Sequence, residues 1–210
     1  MNIYFVGAHS TGKTSLFNEV LRLYPGMAHQ PEIPRSEIIR NRINLDDLRK
    51  KPKLLEDFQY DILNKQIAAE KSTEAMRGSW REICNEEYSC LFDRSAFDIM
   101  AYIVEHLQPK DFFTKSEITS YVDFIKDLLK NQKALLFFLR PNSALVENDG
   151  VRETTDLVSV HRIDSILKTI LNFYSIPYIS IDAINFSDRI NSVTTIINTI
   201  YGIHIHSNAG

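Results

Sequence analysis

The 210-residue sequence has only two cysteines, Cys84 and Cys90, too few for a disulfide framework and without the spacing of a zinc site. A reducing cytosol is the expected setting, and both thiols read as small buried or half-buried hydrophobes. Positive charge is not in excess either. Twenty-four Lys and Arg against 27 Asp and Glu leave a net charge of −3, so a general nucleic-acid surface is not expected. No apolar stretch approaches the roughly 20 residues that span a bilayer, and Met1 runs straight into strand-like residues without a basic leader. The expectation is a soluble, cytoplasmic protein with no membrane partner. Of six histidines, only His204 and His206 are close in sequence, and neither has an acidic or cysteine neighbour, so they read as a solvated tail rather than a metal site. Repeats, low-complexity tracts and breaks in composition are missing too, which predicts one domain over residues 1–210.

What the chain does have is 44% hydrophobic residues arranged in alternating blocks. Asn2 to Val6, Met27 to Gln30 (weakly), Ser89 to Phe92, Ala134 to Leu139 and Pro177 to Ile181 read as strands. Helical spacing runs over Thr14 to Leu23, Ser36 to Arg42, Leu54 to Trp80, Ala96 to Leu107, Lys115 to Leu129, Leu157 to Tyr174 and Ser187 to Ile200. Strands that are apolar throughout, alternating with helices, predict an α/β fold: a five-stranded parallel sheet with helices on both faces. Two polar connections interrupt the pattern, Asn41 to Pro52 and Pro141 to Asp156, and connections of that length often form lids or binding loops.

Directly after the first strand stands "GAHSTGKTS", Gly7 to Ser15. Gly7 to Thr14 is G-x-x-x-x-G-K-T, a phosphate-binding P-loop in its required place between strand and helix. In such a loop the backbone N–H groups from Gly7, Ala8, His9, Ser10, Thr11 and Gly12 onward curl around phosphate oxygens. Lys13 reaches the β and γ phosphates, and the Thr14 hydroxyl can ligate Mg2+. A chance match in a chain of this size is on the order of one in a hundred. The phosphate is therefore assigned to a nucleoside triphosphate, ATP by preference.

Hydrolases and kinases share this loop, so the other sites decide between them. No N-K-x-D guanine-reading sequence is present, and no strand ends in the Asp-Glu pair expected of a transport or motor ATPase. Instead "SCLFDRS" ends its strand in Asp93, Arg94 and Ser95. A parallel-sheet topology puts Asp93 at the carboxyl edge beside the P-loop, where ligands gather. From there it suits the shell of a magnesium ion, with Arg94 on a phosphate or on the acceptor. As a mere surface pair the two would contribute under about 1 kcal/mol.

In "QPEIPRSEI", Glu32 follows the short second strand and Arg35 opens the next helix. A hydroxyl acceptor calls for a carboxylate at this edge to orient it and take its proton; the plain alternative is an ordinary acidic helix start. The segment "RPNSALVENDGVRETTD", residues 140–156, supplies Arg140 and Arg152, with Arg162 following; at least one is expected to close over the transferred group from a lid at 141–156 hinged at Asp149-Gly150.

Taken together, "GAHSTGKTSL", "PEIPRSEI", "LFDRSAFDIMAYI" and "DGVRETTD…VHRIDSIL" resemble, in order and spacing, the P-loop kinases typified by the ribosylnicotinamide kinase domain of bacterial NAD regulators. The "DRS" triplet and upstream Glu are also similar to deoxynucleoside kinases. The resemblance covers Asn2 to about Ile181. It implies a P-loop NTPase fold with strand order 2-3-1-4-5, and ATP- and Mg2+-dependent phosphorylation of a small nucleoside-type acceptor. It also implies that Glu32 or Asp93 handles the acceptor hydroxyl; the residues themselves point to a pocket of Glu32, Arg35, Asp93 and Arg94 facing the acceptor, since both strand ends should converge on one crevice. Residues 41–80 match no substrate signature. Phe58, Tyr60 and Trp80 could stack on a base there, but aromatics on a helix are more often core. Two other readings stay open: an ATPase or switch protein with no small acceptor, and a kinase acting on a nucleic-acid hydroxyl or modified base.

Overall fold

The computed structural model describes residues 1–84, 89–142 and 157–201. Strand β1 (Asn2–Val6) leads into α1 (Lys13–Leu23), β2 (Ala28–Gln30), α2 (Ile33–Arg40), α3 (Leu45–Arg49), α4 (Pro52–Cys84) and β3 (Cys90–Asp93). Then come α5 (Ala96–Leu107), a single 3-10 turn at Phe112–Thr114, α6 (Ser116–Lys130), β4 (Ala134–Leu139), α7 (Leu157–Phe173), β5 (Ile179–Ile181) and α8 (Phe186–Tyr201).

The strands form one parallel sheet in the order β2-β3-β1-β4-β5, as the resemblance implied. They are apolar throughout because both faces are covered. Alternate residues of β1 and β4 separate cleanly: Ile3, Phe5, Leu135 and Phe137 pack with Leu16 and Val20 of α1 and Val193 and Ile197 of α8. Tyr4, Val6, Leu136 and Phe138 pack on the other face with α4, α5, α6 and α7. Central position in the sheet also buries Cys90, whose thiol burial pushes up to about 12; the side chain of Cys84 lies outside the described residues. No helix among the described residues is long and apolar enough to cross a membrane.

The register fixes where the chemistry emerges. Phe5 of β1 lies opposite Asp93 of β3 on one side and Phe137 of β4 on the other. The chain turns leaving β1 and β3 therefore sit side by side at one sheet edge, joined by Arg94 N–H donating to the Phe5 carbonyl at 3.1 Å.

The sequence reading needs correction at three places. The connection over Asn41 to Pro52 is not loop throughout, since it contains α3. Helix α2 starts at Ile33 rather than Ser36, because Pro34 falls in the first turn, where its fixed φ suits a helix and its missing N–H costs nothing. Strand β5 starts at Ile179 rather than Pro177, which has no N–H to give to a ladder. The Pro141 to Asp156 connection falls outside the described residues from position 143 onward.

Candidate active site

The P-loop is shaped by two glycines. Gly7 has φ 153°, and a Cβ there would lie 2.5 Å from the Leu139 carbonyl oxygen, so only glycine lets the loop pass so close to β4. Gly12, at φ 82°, supplies the left-handed turn into α1. From Ser10 into the first turn of α1 the chain leaves a run of donors facing no protein partner: among the described residues, the backbone N–H groups of Ser10, Thr11, Gly12, Lys13 and Thr14 donate no hydrogen bond. Ser10, Thr11 and Lys13 are buried, and buried amides without acceptors are rare unless a ligand supplies them. The arrangement is an anion nest at a helix N-terminus. Ala8 is buried beneath it, and Ser15 is exposed in the first turn of α1.

Lys13 bends back over the loop, its Nζ donating to the carbonyls of Gly7 at 2.7 Å and Ala8 at 2.5 Å. Burial, and then the Arg94 charge, push its ammonium down to about 7, against the pull of Asp98, Asp93 and Glu32. The Thr14 hydroxyl donates to Asp93 Oδ2 at 2.7 Å. The other Asp93 oxygen, Oδ1, is buried with no hydrogen-bond partner; burial and then the Glu32 charge raise this carboxyl above its usual range. A partnerless buried carboxylate oxygen beside a threonine hydroxyl is a hard-oxygen donor set, and that fits magnesium, which takes few protein ligands and completes its shell with waters and phosphates. Among the described residues there is no cluster of three or more His, Cys, Asp or Glu that could hold a metal alone.

On the other side of Asp93, Arg94 adopts φ 100°, a region that non-glycine residues occupy only when the surroundings enforce it. Its guanidinium is buried, with Nη2 2.9 Å from Glu32 Oε1, Nη1 3.9 Å from Asp98 Oδ1, and its carbon 5.7 Å from the centre of the Tyr102 ring. Burial alone would lower its pKa, but Glu32, Tyr102, Asp98 and Asp93 raise it beyond the ordinary arginine value. Glu32 is the residue before α2, and Arg35 lies half-buried in that helix's first turn. His9 joins the group from the P-loop, its Nδ1 3.1 Å from the Tyr102 hydroxyl.

The structure thus brings Lys13, Thr14, Glu32, Asp93 and Arg94 into one crevice at the carboxyl edge of the sheet. Arg152 lies outside the described residues. Two other arginines read from sequence as closing groups are engaged elsewhere: Arg140 pairs with Asp164 of α7 through two hydrogen bonds of 3.1 and 2.8 Å, and Arg162 pairs with Glu105 of α5 at 2.7 Å. Phe58 and Tyr60 are partly buried against the core, as the plainer reading of helix aromatics has it.

Sequence reasoning missed several participants. Asp98 accepts from Gly7 N–H at 2.9 Å with one oxygen and from Ser95 N–H at 2.9 Å with the other, tying the P-loop to the Asp93 turn. The signal was present, since Ser95-x-x-Asp98 is a capping box. Glu70, fully buried on α4, accepts from Ala96 N–H at 2.9 Å, Tyr121 hydroxyl at 2.7 Å and Gln66 Nε2 at 3.0 Å. Burial pushes it up to about 7. Arg189 of α8, beneath the P-loop, had no local signal at all. A cavity of about 520 Å3, lined in part by Arg42, Asp47, Lys51, Phe58 and Asp61, opens between the end of α2, α3 and the start of α4.

Comparison with known proteins agrees with this arrangement. No curated protein matches the sequence. Among solved structures, deoxyadenosine kinase from M. mycoides with bound dATP superposes with a TM-score of 0.60 at 16% identity, over 94% of this chain and 100% of that one. A NadR protein in complex with NR gives 0.63 at 17% identity over 97% of this chain; the chain spans half of that protein's length. Shikimate kinase from Acinetobacter baumannii in complex with shikimate gives 0.51 at 14% identity, over 96% and 93% of the two chains. A family model described as an AAA domain matches residues 2–189, the whole described sheet with its P-loop, and the chain belongs to that family.

Proposed function

We propose that this protein is an ATP-dependent kinase that transfers the γ phosphoryl group to a hydroxyl of a small nucleoside-type acceptor. The observation that carries the reading is the ion pair between half-buried Glu32 and buried Arg94, 2.9 Å apart, beside Asp93 and the Lys13 loop. A protein that only hydrolyses ATP has water alone to place. A second carboxylate and a guanidinium, held in a strained turn next to the metal-side aspartate, suit an acceptor that must be oriented and deprotonated.

In this reading the free amides of residues 10–14 and the Lys13 ammonium cradle the β and γ phosphates, and Glu32 accepts the proton of the attacking hydroxyl while Arg94 orients it. Thr14 and Asp93 would hold magnesium, which when bound neutralises charge on the β and γ phosphates. The cavity over α2, α3 and α4 supports the assignment of the acceptor side. Its 520 Å3 is within the range of small-molecule sites, and Asp61 on its wall is five residues, about 7.5 Å of helix, from Gln66, whose amide reaches the Arg94 carbonyl. Names of the structural neighbours support a nucleoside-type acceptor, two being a deoxyadenosine kinase and a protein solved with NR.

The test is labelled ATP with magnesium against a panel of nucleosides, nicotinamide riboside, nucleotides and oligonucleotides. A labelled phosphomonoester of a nucleoside-type compound is expected. ATP consumption that no acceptor changes would make the protein an ATPase, and labelling of oligonucleotides alone would move the acceptor to nucleic acid.

A further inference from the structure

Arg189, in the first turn of α8, is almost wholly enclosed. Among the described residues no carboxylate is within ion-pair distance of its guanidinium; the nearest acid acting on it, Asp182, is exposed, and burial holds its pKa below the ordinary arginine value. Instead it donates to three backbone carbonyls from three separate segments: Nη1 to Thr11 in the P-loop at 2.6 Å, Nη2 to Arg140 at the end of β4 at 2.9 Å, and Nε to Ala183 in the turn before α8 at 2.7 Å. A buried cation with no counter-charge is costly. An anion brought close to it would offset that cost.

The geometry points to the side from which an anion would act. The Thr11–Gly12 peptide is trans, so a Thr11 carbonyl aimed at Arg189 forces the Gly12 N–H to point the opposite way. That N–H is one of the five amides with no protein acceptor. We propose that Arg189 is a positioning residue for the phosphate nest: from behind the loop it fixes the Thr11–Gly12 peptide with its N–H toward the nucleotide, and its charge is balanced by the phosphates across that peptide. Through its other two bonds it holds the loop at a set distance from the end of β4 and from the β5–α8 turn. The ligand class is a polyphosphate chain, and the inference rests on the assignment of the P-loop to a nucleoside triphosphate.

Binding of AMP, ADP, ATP and inorganic tripolyphosphate to the full chain tests it, with wild type beside Arg189→Met and Arg189→Lys. For the folded variants, judged by circular dichroism, Arg189→Met should weaken ATP and tripolyphosphate by about tenfold or more, with a deficit that grows from AMP through ADP to ATP. Arg189→Lys, which keeps the charge but can reach fewer carbonyls, should fall between. Wild-type-like tripolyphosphate affinity in either folded variant overturns the proposal, as does a deficit equal for AMP, ADP and ATP, the mark of a merely structural role. A wild-type chain that binds no polyphosphate would instead remove the nucleotide reading beneath it. Should Arg189→Met not fold, the arginine Nε–H resonance of Arg189 in the wild type gives a second readout. It should shift on adding tripolyphosphate, and an unmoved resonance at saturation overturns the proposal.

Discussion

The two halves of the crevice are built from different materials. The phosphate side is mainly backbone: a run of amides between two glycines, with one lysine and one threonine from the helix that follows. The proposed acceptor side is almost all side chain: buried Arg94 and Asp98 with half-buried Glu32 and Tyr102, drawn from the residue before α2, the β3 turn and α5. A backbone nest binds any phosphate chain and is written in eight consecutive residues. A side-chain network is assembled across the fold, and each member's charge state depends on the rest. On the proposed function, general recognition and particular recognition are thus separated along one sheet edge, with Asp93 at the boundary.

That division makes distinct demands on the two sides. Lys13→Ala removes the main cation of the phosphate side and should lower phosphoryl transfer by about 10³-fold or more while leaving the fold intact. A folded variant with unchanged turnover in the labelled-ATP assay would break the assignment. Glu32→Gln keeps the shape but takes away the proton acceptor; transfer should drop by about 10²-fold with ATP affinity little changed. If instead ATP binding fell and transfer per bound ATP did not, the two sides would not be separate. At the boundary, Asp93→Asn should raise the magnesium concentration needed for half-maximal rate by roughly tenfold to a hundredfold, measured by titrating magnesium at saturating ATP. If Glu32→Gln were silent and Asp93→Asn abolished transfer at every magnesium level, the base role would move to Asp93.

A smaller effect sharpens the comparison through protons. With its ammonium pushed down to about 7, Lys13 is mostly neutral at pH 8 before an anion arrives. Polyphosphate favours the charged form, so ATP binding at pH 8 should take up as much as roughly one proton, seen as a dependence of the calorimetric heat on buffer ionisation and lost in Lys13→Ala. Glu70, bonded to the Ala96 N–H at the start of α5, works in the opposite sense. Its carboxyl is raised from 4.5 to about 7, so the folded chain holds a proton that the unfolded chain releases in that window. Stability should therefore fall as pH rises from about 4.5 to 7, by on the order of 3 kcal/mol for this group, and Glu70→Gln should flatten that slope in denaturant melts.

Much of this was legible in the sequence, and the limits have physical causes. Gly7 to Thr14 could be read because a nest is a local object with fixed spacing. Asp93, Arg94 and Glu32 could be placed because strand ends of a parallel sheet converge on one edge, so topology stood in for coordinates. Asp98 was readable as a capping box yet passed over, since a cap explains itself without any reference to Gly7, 91 residues earlier. Arg189 was beyond reach: its partner Thr11 is 178 residues away, and its contacts are to carbonyls, which every residue carries. Arg140 and Arg162 show the converse limit, for positive charge near a site says nothing about which acid already holds it; the expected closing arginine then falls to Arg152, outside the described residues.

Asp98 bears on how this fold can change its substrate. Each of its two oxygens holds a different turn, so the gap between nucleotide and acceptor turn cannot widen to admit a larger molecule without releasing one of them. On the proposed function, adaptation to a new acceptor would fall to the walls farther out, α3 and the first turns of α4, which line the cavity. A change of acceptor would then be made among residues 42–61, which include the cavity lining, while Lys13, Thr14, Asp93 and Asp98 stay as they are.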